Sequence, residues 1–172
     1  WISIERKYGM SEIGTYLRGT TLLITGATGF LAKAVVEKIL RCAPDVGRIY
    51  LIVRSRRKKD GTTLSANDRV VDEIFQSAAF ARLREIYGDR FSTFMAEKVH
   101  AIEGDLTLDY LGLEPDVYQR LANEVNVVLT CAASVTFDEE IDAALRLNAL
   151  GARRMLEFAR TCNDAILVHI ST

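Results

Sequence analysis

The chain has 172 residues, 49% of them hydrophobic and 26% charged, with a formal net charge of -1. That is enough apolar material for one core of ordinary domain size, and near-neutrality argues against nucleic-acid binding, which brings a basic excess. No apolar run is long enough to span a bilayer, and the opening residues WISIERKYGMSEIG lack the apolar centre of a signal peptide.

A start at Trp1 leads us to expect a portion excised from a longer protein. Cys42, Cys131 and Cys162 are widely spaced and odd in number, which fits reduced thiols in a cytoplasmic protein better than a disulfide frame. His100 and His169 are the only histidines, and closely spaced Cys and His pairs are missing, so no metal site is expected.

Residues 1–19 are polar and without clear period, and read as a lead-in to a domain over 20–172. Residues 20–25 then form a buried-strand run, 31–42 a helical pattern, and 48–53 (RIYLIV) a second strand. A basic loop, RSRRKKDGTTLSAND, leads to a helical stretch over 69–87. Residues 99–102 are the third strand, 116–123 a short helix, 126–131 the fourth strand, 139–161 a helix, and 165–170 the fifth strand. Short apolar strands alternating with helices imply a parallel sheet covered on both faces. Right-handed crossovers make this an α/β, doubly wound Rossmann arrangement with strand order 3-2-1-4-5, truncated after the fifth strand. The segment between strands two and three is the oddity, at roughly forty-five residues where a crossover needs about a dozen.

Gly26, Gly29 and Ala32 are spaced G-x-x-G-x-x-A directly after the first strand. Gly26 allows the tight turn, Gly29 lets a pyrophosphate approach the helix N-terminus, and Ala32 keeps that helix close to the sheet. A glycine pattern alone also fits a simple turn, but the flanking strand and helix favour a dinucleotide site. Thr25, Gly26, Thr28, Gly29, Phe30 and Leu31 are therefore the candidate residues of this turn. An NAD site carries an acidic residue at the end of the second strand. Here that strand ends LIVRSRRKK, with Arg54 first and no carboxylate until Asp60. Guanidinium groups suit a 2′-phosphate. Arg54, with Arg57, is the candidate contact and NADPH the expected cofactor, while most of the basic run reads as a solvated loop.

The pieces ITGATGFLAKAVVEKILR, IYLIVRSRRK, FARLRE, VHAIEGDL, VNVVLTCAASVTFDEEIDAALRLNALGARRMLEFA and LVHIST together resemble the fatty acyl-CoA reductases, a group within the extended short-chain dehydrogenase/reductases. The resemblance implies that Asp105 and Leu106 hold the adenine, and that Ala132, Ala133 and Ser134 line the cofactor near its ribose and pyrophosphate. It also implies that Asn148 supports the active-site backbone. Asp105 as a turn cap, Ser134 as a loop hydroxyl and Asn148 as a satisfied amide remain the plainer alternatives.

In the family that LVHIST resembles, a Ser-Thr at the end of the fifth strand hydrogen-bonds the substrate carbonyl, which points to Thr172 with Ser171 beside it. Its partners there are a tyrosine that protonates the alkoxide and a lysine four residues later. The residues four places after the six tyrosines of this chain are Glu12, Thr20, Arg54, Phe91, Glu114 and Ala122. No Tyr-x-x-x-Lys occurs, so the catalytic apparatus is expected to continue beyond Thr172, and the 172 residues alone to be inactive. The reaction implied is NADPH-dependent reduction of a fatty acyl-CoA thioester to the aldehyde or alcohol. The rivals are a thioester reductase acting on a carrier-bound acyl group, an extended dehydrogenase of nucleotide sugars or sterols, and a nucleotide sensor without turnover. A homodimer and peripheral association with a membrane stay open.

Overall fold

In the computed structural model, residues 12–136 and 138–171 are described. Helix α1 (Glu12–Leu17) leads to strand β1 (Leu22–Thr25), helix α2 (Phe30–Cys42) and strand β2 (Ile49–Val53). A two-residue hairpin, Arg56–Arg57 against Thr63–Leu64, precedes α3 (Ala66–Arg69), α4 (Ala81–Tyr87), α5 (Phe91–Lys98) and strand β3 (Val99–Glu103). Helix α6 (Pro115–Glu124), β4 (Val127–Thr130), α7 (Ile141–Ala144), α8 (Ala152–Thr161) and β5 (Ile166–His169) complete the chain.

The five strands form one parallel sheet in the order β3-β2-β1-β4-β5, the order expected from the sequence. Every residue of β1, β2 and β4 is buried, which is why these strands read as unbroken apolar runs rather than as alternating ones. Alternation is still at work, dividing the side chains between the two faces of the sheet. Leu22, Ile24, Ile49, Leu51, Val127 and Leu129 pack on one side with Val36 and Leu40 of α2 and with the insert between β2 and β3. Leu23, Tyr50, Ile52 and Val128 pack on the other with Leu121 of α6 and with Met155 and Phe158 of α8. Among the described residues no helix is long and apolar enough to cross a membrane.

The insert departs from the single helix expected over 69–87. Helix α3 starts at a capping box, with the Ser65 hydroxyl accepting from the Asp68 N–H at 3.1 Å and the Asp68 carboxylate accepting from the Ser65 N–H at 3.0 Å. It passes into a π-helical turn, Val70–Phe75, and a 3₁₀ turn, Ala78–Phe80, before α4 begins. The break is stable because the Arg84 guanidinium donates to the carbonyls of Phe75 and Ser77, at 2.5 and 3.0 Å, and fully buried Phe80 fills the corner. Helix α5, unforeseen in the sequence, buries Phe91, Phe94 and Met95. The helix expected over 139–161 starts at Ile141 and contains a π-helical turn, Leu145–Gly151, in its middle. In the lead-in, α1 buries Leu17 against the core, and Arg18 bridges Val46.

Phe158 is fully buried and meets Tyr118 edge-on at 5.1 Å between ring centroids. Phe158→Ala should cost about 3–5 kcal/mol of unfolding free energy, read from urea denaturation.

Candidate nucleotide-binding site

The turn after β1 fixes the geometry of the site. Gly26 has φ +71°, and a Cβ there would sit 2.8 Å from the Ala132 nitrogen and from the Cys131 carbonyl carbon and oxygen. No residue other than glycine satisfies both the left-handed backbone and that approach. The buried Thr25 hydroxyl accepts from the N–H groups of Cys131 and Ala132, both at 3.3 Å. The ends of β1 and β4 are thus stapled together. The Gly29 N–H closes the turn on the Gly26 carbonyl at 2.8 Å. Gly29 then caps α2 without a side chain, so N–H groups of the first helical turn are left for another acceptor.

A cleft of about 240 Å³ opens beyond the carboxyl ends of β1 to β4. Gly26, Ala27, Thr28 and Gly29 form one wall, and Cys131, Ala132 and Ala133 another. Ile52, Val53, Arg54 and Arg69 line one end with Gly104, Asp105 and Leu106, while Leu147 reaches in from the π-helical turn before α8. Burial pushes the Cys131 thiol above its ordinary pKa, so it stays protonated at neutral pH and adds no charge to the wall.

Charge is concentrated at the Arg54 end. Arg54 lies 3.8 Å from Asp105. Arg69 sends Nε and Nη2 to the two oxygens of Glu73, each at 2.9 Å, and Nη1 to the Arg54 carbonyl at 2.8 Å. Arg56 approaches the same Glu73 carboxylate at 3.1 Å. The Arg69 hydrogen bond, with the charges of Arg69, Arg56 and Lys33, holds the Glu73 carboxyl below the usual range despite its partial burial.

Asp105 works in two directions. One carboxylate oxygen accepts from the Thr107 N–H at 2.8 Å and its hydroxyl at 2.7 Å, an Asx turn, and the other faces Arg54. Its own N–H donates to the Leu111 carbonyl at 2.8 Å, across a turn in which Tyr110 and Leu111 have φ 52° and 62°. Asp105 is therefore a turn cap that also presents an acceptor beside the cleft.

Ser134 and Asn148 are joined by a reciprocal pair. The Ser134 N–H donates to the Asn148 side-chain oxygen at 2.8 Å, and the Asn148 amide donates to the Ser134 carbonyl at 3.1 Å. Asn148 therefore orders the loop after β4 rather than lining the cleft itself. Of the other candidates, Gly26, Thr28, Gly29, Arg54, Asp105, Leu106, Ala132 and Ala133 line the cleft. Thr25 is buried behind it, Phe30 is 87% exposed, Leu31 is exposed, and Arg57 lies in the hairpin outside it. Ser171 is exposed, and Thr172 lies outside the described residues. Sequence reasoning missed Arg69 and Leu147. The one signal for Arg69 was its spacing from Glu73, four residues on along a helix.

A parallel doubly wound sheet, with a glycine turn facing a cleft at its topological switch point, defines a nucleotide-binding domain of the Rossmann class. The chain belongs to the male sterility protein family of NAD-binding domains, whose model matches residues 24–172. It is 40% identical over 160 residues to fatty acyl-CoA reductase 8 of Arabidopsis thaliana, covering 91% of this chain and 31% of that protein. It is 38% identical over 168 residues to the alcohol-forming fatty acyl-CoA reductase of Simmondsia chinensis, covering 95% and 33%. The terminal R domain of the myxalamid PKS-NRPS biosynthetic pathway superposes with a TM-score of 0.67 at 25% identity, over 89% of this chain and 34% of that one. The thiolation-reductase di-domain of an archaeal non-ribosomal peptide synthetase gives 0.65 at 26%, over 98% and 34%. The chain thus spans about a third of the length of these relatives.

Two outcomes are expected here. Gly26→Ala should weaken NAD(P)H binding at least about tenfold, the effect of strain and of a displaced β4 end, measured by calorimetry. A depressed carboxylate pKa contributes stability above the ordinary glutamate range that is lost as pH falls through the depressed value. The melting-temperature advantage of the wild type over Glu73→Gln should therefore shrink as the pH is lowered through that window.

Proposed function

We propose that this chain is the NADPH-binding part of a reductase that converts fatty acyl-CoA thioesters to fatty aldehydes or alcohols. The observation that carries the reading is the 36–41% identity to fatty acyl-CoA reductases of plants and animals over nine-tenths of the chain. Arg54 at the end of β2, where an NAD site carries a carboxylate, favours the phosphorylated cofactor. The nucleotide-binding unit runs over residues 20–172, with 1–19 as its lead-in.

The residues of this chain divide the work. The glycine turn and the first turn of α2 take the pyrophosphate, Arg54 the 2′-phosphate, and Asp105 with Leu106 the adenine. Asn148, through Ser134, fixes the loop that carries Ala132 and Ala133 along the cofactor. In the sequence after β5, Thr172 with its neighbour Ser171 is the hydroxyl that would donate a hydrogen bond to the thioester carbonyl oxygen and stabilise the charge that develops there. The cofactor, held along these residues, would supply hydride for the carbonyl carbon, and the CoA thiolate would leave as the C–S bond breaks. The tyrosine and lysine that would complete proton delivery are not in these 172 residues in the Tyr-x-x-x-Lys form. Peripheral contact with a membrane suits a fatty substrate, and its reduced thiols suit the cytoplasm.

A second reading keeps the chemistry and changes the donor. Solved structures similar to this chain include reductase domains of non-ribosomal peptide synthetases, at 25–28% identity, which favours a carrier-bound thioester as the rival substrate.

The deciding experiment follows NADPH oxidation and free CoA release by the full-length protein with a long-chain acyl-CoA. Two NADPH per CoA indicate alcohol formation and one indicates release of the aldehyde. Cofactor binding without oxidation moves the reading to the carrier-bound donor. Arg54→Ala should raise the KM for NADPH about tenfold or more while leaving that for NADH nearly unchanged.

A further inference from the structure

The residue that holds the Arg54 end of the cleft in shape is an acid. We propose that Glu73 is a positioning residue for cofactor selection. Through Arg69 it fixes the Arg54 main chain, so that the cleft distinguishes a nucleotide 2′-phosphate from a bare 2′-hydroxyl. This rests on the NADPH reading of the cleft.

The geometry is specific. Arg69 lines the cleft, yet three of its five donors are already committed: two to Glu73 and one to the Arg54 carbonyl. The Arg69 and Glu73 side chains are 13% and 22% exposed, whereas that of Arg54 is 59% exposed. The Arg54 side chain has Asp105 at 3.8 Å, and its main chain is held by the shorter 2.8 Å bond from Arg69. Glu73 in turn fixes the Arg69 fork by a bidentate pair, and it draws in Arg56 from the hairpin at 3.1 Å. Both sides of the loop, hairpin and helix, are thereby tied to one carboxylate. Glu73 sits in the π-helical turn Val70–Phe75, one helical turn beyond Arg69.

Electrostatics alone gives the opposite sign. A carboxylate beside a phosphate site repels the phosphate, so removing its charge would tighten binding. If the carboxylate acts through order instead, removing it loosens Arg69 and Arg54, and phosphate binding weakens. The direction of change separates the two accounts.

The probes are 2′,5′-ADP and 5′-AMP, which differ at the 2′ position, titrated by calorimetry into the full-length protein. The wild type should bind 2′,5′-ADP at least about tenfold more tightly. Glu73→Gln should weaken 2′,5′-ADP about tenfold, the effect of one charge-assisted hydrogen bond, and leave 5′-AMP within about twofold. Glu73→Asp keeps the charge but shortens the reach to Arg69. It should show the same selective loss, and it carries the test if Glu73→Gln fails to give a cooperative melt. Unchanged or tighter 2′,5′-ADP binding, or equal losses for both nucleotides, would overturn the positioning role. A wild type that does not prefer 2′,5′-ADP would instead overturn the NADPH reading, and this proposal with it.

Discussion

Everything at the site depends on how closely the turn after β1 approaches the end of β4. Gly26 touches the Cys131–Ala132 peptide with no space for a side-chain carbon, and the Thr25 hydroxyl accepts from the N–H of that peptide and from the N–H of the one before it. This contact draws the starts of two loops together and leaves the cleft between them. The start of α2 is aimed by the same turn. A larger residue would move a wall of the cleft, not merely fill a corner of it.

The remaining walls carry polar ties to the backbone. Arg69 holds the Arg54 carbonyl, Asn148 holds the main chain of Ser134, and Asp105 spans its own turn through Thr107. These ties give individual backbone groups of the loops a partner, beside the apolar anchors Leu106, Leu111 and Leu113 of the loop after β3. The loops are positioned by the sheet, whose residues are almost wholly buried in β1, β2 and β4. A stiff apolar scaffold carrying polar, individually tied loops is the division of labour expected of a ligand-binding α/β fold.

The strand order was legible in the sequence, because strands buried on both faces read as short apolar runs and the crossovers allow few topologies. The glycine turn was legible for a similar reason: Gly26 is demanded by the backbone, and backbone demands leave a residue type behind. The insert was not legible. Its helix breaks where Arg84 satisfies the carbonyls of Phe75 and Ser77, an arrangement that the apolar period of the segment does not encode. Arg69 was hidden because its partner at the cleft is a main-chain oxygen fifteen residues away, which no charge pattern reveals. From the sequence Asp105 reads as either adenine contact or turn cap. Its two oxygens face in different directions, so the choice was not exclusive.

The two π-helical turns, Val70–Phe75 and Leu145–Gly151, carry Glu73 in one and Leu147 and Asn148 in the other. Such a turn holds one more residue than the α-helical turn it replaces. Each can therefore be viewed as an inserted residue that the helix absorbed without ending. Removing one residue from either would restore α-helical pairing and leave the flanking helix in place, while the residues within the turn take new positions. Glu73 would then turn relative to Arg69, or Asn148 relative to α8, with the helix itself intact. The aim of the site is thus set at these two places by residue count as much as by residue identity. A gap of a single position there would mark a differently aimed site on the same fold.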